Sequence, residues 1–140
     1  MRRLGLDVGE RRIGVARTDE TGAIATPYAV IEREGRKADV IRLQELARAQ
    51  QAQEVVVGLP VTLRGEMGPQ ARQVRRFVSA LRAALDVPVV TWDERFSTGE
   101  AERSLLEADV SRAGRRERVD KVAAALILQS YLDAKARQEG

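Results

Sequence analysis

The chain has 140 residues, 44% of them apolar and 32% charged, with a net charge of +3 and neither a cysteine nor a histidine. That size and balance fit one folded domain and are too apolar for a disordered chain, while the two absences exclude disulfides, thiolate nucleophiles, Ser-His-Asp triads and zinc held by His or Cys. Any chemistry is left to carboxylates, Lys, Arg, hydroxyls and oxygen-bound metals.

Arg2 and Arg3 imitate the start of a signal peptide, but Asp7 and Glu10 break the apolar stretch at once. The longest apolar run, Val122 to Leu128, is far short of the roughly 18 to 20 residues a membrane span needs. A cytoplasmic protein without membrane association is therefore expected. Arginine dominates lysine, which suits phosphate recognition but is equally compatible with ordinary solvation.

Leu4, Leu6 and Val8 alternate with Gly5, Asp7 and Gly9, the period-two pattern of a strand with one apolar face. Ile13–Thr18 predicts a second strand, Asp19–Gly22 a turn, and Ile24–Ile31 a third strand interrupted by Pro27. The opening third thus predicts an antiparallel meander. A polar loop over Glu32–Lys37 precedes a helix whose apolar face carries Val40, Leu43, Leu46 and Ala47. Glu54–Gly58 is a β-branched run without polar alternation, as expected for a strand covered on both faces.

Gln70–Leu85 predicts an amphipathic helix with Val74, Phe77, Val78, Leu81 and Leu85 inward. Val87–Trp92 predicts another strand, and Ser97-Thr98-Gly99-Glu100 has the form of a capping box, so a further helix should start near Thr98. Ser111–Arg116 reads as a basic break, after which Glu117–Ala136 returns to helix with apolar residues on nearly every face. A meander followed by alternating strands and helices argues for a mixed sheet with helices on its faces.

Three acids stand out. Asp7 lies opposite the apolar face of the first strand, between two glycines that leave room beside it; a carboxylate there needs a cation or several donors, although a turn-capping role fits it as well. Asp93 and Glu94 sit where a strand runs out, the place where α/β proteins put ligand groups, and a solvated loop paired with Arg95 is the plainer reading. Asp120 falls early in an otherwise apolar helix, where it could serve the helix dipole, but the stripe Asp120, Ala123, Ala124 and Ile127 would face the core. Carboxylates from separate elements, with no His or Cys, suit hard ions such as Mg²⁺ or Mn²⁺. A pair of such ions hydrolyses phosphodiesters without any histidine.

The segments Leu4–Ala16, Val56–Pro60, Asp93–Thr98 and Val119–Leu128 resemble, in order, the four motifs of the YqgF/RuvX family of RNase H-like Holliday junction resolvases. The resemblance spans nearly the whole chain. It implies a single RNase H-like nuclease domain over residues 1–140, with a mixed five-stranded sheet, three antiparallel strands followed by two parallel additions, and helices on both faces. It also implies a metal-dependent endonuclease acting on structured nucleic acid, in 5′-end processing of pre-16S rRNA or resolution of four-way DNA junctions. Asp7, Glu94 and Asp120 would be the catalytic metal ligands for Mg²⁺ or Mn²⁺, two ions in all, with Asp93 the rival of Glu94. Arg11, Arg12, Arg95 and Lys121 would meet the substrate, and the loop from Pro60 through Arg64 to Gly68 would approach its backbone. Symmetric junction cutting would call for a homodimer.

Five aromatic residues, two Phe, two Tyr and one Trp, are too few for a base-stacking platform, so recognition should rest on shape and phosphate. Two other readings compete. An actin-like ATPase or sugar kinase shares a strand with Asp-x-Gly, but 140 residues leave no room for its second domain. A non-catalytic nucleic-acid-binding or ribosome-assembly factor would keep the fold without turnover.

Overall fold

The computed structural model describes residues 1–62, 64–96 and 112–139. Its elements in chain order are β1 (Arg3–Val8), β2 (Arg12–Thr18), β3 (Ala25–Glu32), α1 (Arg36–Ala49), β4 (Glu54–Leu59), α2 (Pro69–Ala84), β5 (Val89–Asp93), a single 3-10 turn (Glu94–Phe96) and α3 (Arg112–Glu139). The strands form one five-stranded sheet ordered β3-β2-β1-β4-β5. The first three strands pair antiparallel, whereas β4 lies parallel to β1 and β5 parallel to β4.

Strand alternation divides the molecule into two apolar layers. Leu4, Leu6 and Val8 of β1, Ile13 and Val15 of β2, and Val55 and Val57 of β4 point to one face, where Val40 and Leu43 of α1 and Val74, Phe77, Val78 and Leu81 of α2 cover them. The opposite face carries Ala16 and Val56 against Ala124, Ile127, Leu128, Tyr131 and Leu132 of α3. Burial on both faces explains why β4 lacks polar alternation.

The α3 face is built to let a helix come close. Gly5, Gly14 and Gly58 present no side chain there. A Cβ on Gly5 would lie 2.7 Å from the Leu128 Cβ and 2.9 Å from the Ala124 carbonyl oxygen, and one on Gly14 would collide with the Asp120 carbonyl. This platform sets the height of α3 over the sheet and therefore the position of Asp120.

Pro27 is accommodated because β3 is an edge strand, where a missing N–H faces outward, and a register irregularity between Val15 and Ala16 lies beside it. Ile24 falls outside the strand and is exposed. The polar loop predicted up to Lys37 ends earlier, since α1 begins at Arg36. The predicted basic break is also corrected: the chain is already helical from Arg112. Arginine is a good helix former, and one interior glycine costs only about 1 kcal/mol, which the packing of a long helix outweighs. The capping box and the helix predicted near Thr98 lie outside the described residues. Among those described, no helix is long and apolar enough to cross a membrane.

Candidate active site

The carboxyl ends of β1 and β5 and the first half of α3 meet on the glycine-lined face. Asp7 pairs in register with Gly14 across β1 and β2, and Gly14 in turn lies against the Asp120 backbone. The absent side chain at Gly14 thus lets two acids, far apart in sequence, approach over one cross-strand pair.

Glu94 enters from the other side. The parallel register sets Leu59 of β4 beside Asp93 of β5, so the chain leaving β5 turns back over the end of β4. The Glu94 side chain then rests on Gly58, where a Cβ would lie 2.7 Å from its Oε1 and 2.5 Å from the Ile127 Cδ1. Here Glu94 makes a carboxyl–carboxyl hydrogen bond with Asp7. Two carboxyls in contact cannot both be ionised without a counter-charge. Burial, then the neighbouring charge of Asp7 and the hydrogen bond to it, push Glu94 up to about 8, so it holds the proton and donates it to Asp7. Burial raises the Asp7 carboxyl too, with the Asp120 charge adding to the effect.

Asp120 is near enough to influence Asp7, but its own partner is a cation. Arg12 Nε donates to Asp120 Oδ2 at 2.9 Å, both side chains being about one-quarter exposed (24% and 25%). Of the three acids expected to converge, two touch and the third is held aside by an arginine. Accordingly, no three acids among the described residues form a ready-made metal-binding cluster.

Asp93 points elsewhere. Its Oδ1 accepts from the Arg95 backbone amide at 2.9 Å, and its Oδ2 accepts from the Arg95 Nη2 at 2.6 Å and Nε at 2.9 Å. The hydrogen bonds from Arg95 hold the Asp93 carboxyl below its usual range. Adjacent residues on a turn therefore diverge, one toward Asp7 and one toward its own arginine.

The remaining expected residues are spread around this centre. Arg11 is exposed at the tip of the β1–β2 turn, which Gly9 N–H closes onto the Arg12 carbonyl at 2.8 Å. Arg64 is exposed on a turn in which Gly65, at φ 82°, donates to the Thr62 carbonyl at 2.8 Å. Gly65 also faces Arg95, whose Nη1 would lie 3.2 Å from a Cβ there. Lys121 is half-buried next to Asp120. Arg12 and Arg95, expected on phosphate, are each engaged by an acid. Sequence reasoning did not assign Gly14 and Gly58 to the site, although both lie inside the recognised motifs, because their role is the space they leave.

Comparison with known proteins decides the family. Residues 1–134 match the family RuvX, described as Holliday junction resolvase. The chain belongs to the RuvX family. A relative from Symbiobacterium thermophilum is 52% identical over 136 residues, 97% of this chain and 94% of its own. Another, from Syntrophomonas wolfei, is 50% identical over 133 residues, 95% and 94% of the two chains. Both are named "Putative pre-16S rRNA nuclease". Among solved structures, RuvC of T. thermophilus in complex with a Holliday junction substrate superposes with a TM-score of 0.60 at 20% identity, over 97% of this chain and 96% of that one. The Fowlpox virus Holliday junction resolvase gives 0.57 at 15% identity, over 96% and 99%. These likenesses establish the RNase H-like fold for this RuvX chain, with its mixed five-stranded sheet.

Proposed function

We propose that this chain is a divalent-metal-dependent endonuclease that hydrolyses phosphodiester bonds of structured RNA, in 5′-end processing of pre-16S rRNA. The observation that carries the reading is the contact between the Asp7 and Glu94 carboxyls, with Asp120 within electrostatic reach. Half-buried carboxyls of separate elements, pressed together over glycines, suit a shared cation better than a structural role, because their mutual repulsion lowers stability whenever no cation or proton lies between them. The donor set is all oxygen, which fits Mg²⁺ or Mn²⁺. The names of relatives at about half identity favour the RNA substrate.

Asp7, Glu94 and Asp120 would hold the metal, with Asp120 turning from Arg12 to do so. A bound pair of ions would supply an activated water and charge neutralisation at the leaving oxygen. Glu94, rather than Asp93, is the middle ligand in this reading, since Asp93 is committed to Arg95. Arg11, Arg64 and Lys121, with Arg12 and Arg95 once released, would meet phosphates, and the whole chain would act as one cytoplasmic nuclease domain. The family description favours a second substrate, the four-way DNA junction, whose symmetric cutting would require a dimer.

The test is cleavage of a pre-16S leader RNA and of a four-way DNA junction in Mg²⁺ and in Mn²⁺, comparing wild type with Asp7→Asn. Metal-dependent cleavage lost in Asp7→Asn supports the reading. Cleavage that survives the substitution places the chemistry elsewhere, and binding of either substrate without cleavage by the wild type points to an assembly factor.

A further inference from the structure

On the sheet face away from the acids, the carboxyl end of β1 opens into a cleft of about 260 Å³ between the amino-terminal ends of α1 and α2. Its wall carries Arg33, Arg36, Arg76, Gln70 and Gln73, with Glu10 as the one acid among its lining residues. Arg33 is a fixed part of that wall. Its Nε donates to the fully buried Asp39 at 3.0 Å, its Nη1 donates to the Gly9 carbonyl at 3.0 Å, and its guanidinium carbon lies 5.1 Å from the centre of the Phe77 ring. Arg36 and Arg76 differ from it: both are exposed and neither makes an ion pair among the described residues. The helices flanking the cleft start at Gly35 and Gly68, and neither start is capped by a side chain. Asp39 in the first turn of α1 already offsets that helix's dipole, and Pro69 opens α2 without an N–H, so side chains supply the donors of the cleft.

Donors from two exposed arginines and two glutamines, around a recess smaller than the roughly 300 Å³ at which small-molecule sites begin, match a single anionic group. The cleft adjoins the acid site, because Asp7 and Val8 are consecutive residues pointing to opposite faces of β1. The β1–β2 turn, with Arg11 exposed at its tip, lies between the two. We propose that this cleft binds a backbone phosphate of the nucleic acid, away from the scissile one, so that the substrate straddles the β1–β2 turn. The proposal rests on the nucleic-acid reading above and adds a second anchoring point to it. Arg36 and Arg76 make the contact, and Arg33 with Asp39 holds the wall in shape.

Binding, without cleavage, is the test. The affinity of fluorescein-labelled leader RNA and of a labelled four-way junction is measured by anisotropy over a salt series in EDTA, for wild type, Arg36→Glu/Arg76→Glu and the charge-matched control Arg48→Glu/Arg137→Glu. Inorganic phosphate is titrated separately by calorimetry. The expected result is a loss of about tenfold or more in the cleft variant, with the slope against log salt reduced by about 2, and a clearly smaller loss in the control. Equal losses in both variants would overturn the site as a mere effect of net charge. Unchanged nucleic-acid affinity would overturn it as well, and if phosphate binding were lost at the same time the cleft would be a free-anion site. Failure of cleavage chemistry at Asp7 with this binding loss intact would remove the nuclease reading and leave the anchoring site standing. A wild type that bound neither nucleic acid would remove both.

Discussion

Arg12 Nε meets Asp120 Oδ2 at 2.9 Å across 108 residues of sequence, joining the start of β2 to α3 beside the Asp7–Glu94 pair. The guanidinium supplies the positive charge that faces Asp120. It also competes with any cation for Asp120. Replacing Arg12 by Gln removes a unit positive charge from the rim and frees the carboxylate, so Mn²⁺ affinity should rise on the order of tenfold, read by calorimetry without substrate. Unchanged or weaker Mn²⁺ binding would mean that the arginine orients Asp120 rather than competing for it.

Glu94 carries its proton far above the ordinary carboxyl range, so stability should depend on pH in a specific direction. The carboxyl titrates near 4.5 when free and near 8 in the folded protein. Between those values the folded state binds more protons than the unfolded one, and stability of the metal-free protein therefore falls as pH rises through that window. Glu94→Gln has no proton to lose. In EDTA its melting temperature should match that of wild type near pH 5 and exceed it by a few degrees at pH 8.5, while losing metal-dependent cleavage. Added Mg²⁺ should raise the wild-type melting temperature at pH 8.5 and leave the variant nearly unchanged. A variant less stable than wild type at both pH values would show that Glu94 is a structural hydrogen-bonding group.

The glycines beneath the acids give a separate handle. At Gly58 an added methyl would meet the Ile127 Cδ1 at 2.5 Å and the Glu94 Oε1 at 2.7 Å. Gly58→Ala should expel Glu94 from Asp7 and cost about 1 to 3 kcal/mol in stability. Gly14→Ala meets backbone rather than a movable side chain, at the Asp120 carbonyl, so α3 itself must lift. It should destabilise more than Gly58→Ala in chemical denaturation. If both substitutions were neutral, the close seating of α3 would not be what brings Asp120 to the site.

Much of this arrangement is legible from sequence because periodicity survives averaging. The alternation around Asp7 and the unbroken run Val55–Val57 report which faces are buried, and both layers follow from them. The order of elements leads to the mixed sheet for the same reason. What the pattern did not carry is pairwise choice: which of Asp93 and Glu94 turns inward, and which arginines are consumed by acids. Those outcomes depend on contacts such as Arg12 with Asp120, made between distant segments after the chain folds. The start of α3 was hidden for another reason, since a charged stretch with a glycine looks like a break until the packing of the rest of the helix is counted. The Arg33–Asp39 wall is equally invisible, because nothing in the local pattern marks Asp39 as a buried residue.

The divergence of Asp93 and Glu94 offers a direct separation of roles. Asp93 is bound by the Arg95 guanidinium and amide, and its carboxyl is held low by those hydrogen bonds, whereas Glu94 is held high by burial and by Asp7. Asp93→Asn should therefore leave Mn²⁺ affinity within about twofold of wild type, since it removes none of the proposed ligands and only loosens Arg95. Glu94→Gln should weaken Mn²⁺ binding by at least about tenfold, because an amide would replace an ionised oxygen at the proposed hard-ion site. Releasing Arg95 frees a guanidinium beside the Gly65 turn, so Asp93→Asn should bind leader RNA as tightly as wild type or more tightly, with a steeper salt dependence. The opposite ranking in the Mn²⁺ titration, with Asp93→Asn the more damaging substitution, would exchange the two acids and require the 3-10 turn Glu94–Phe96 to rearrange when metal binds.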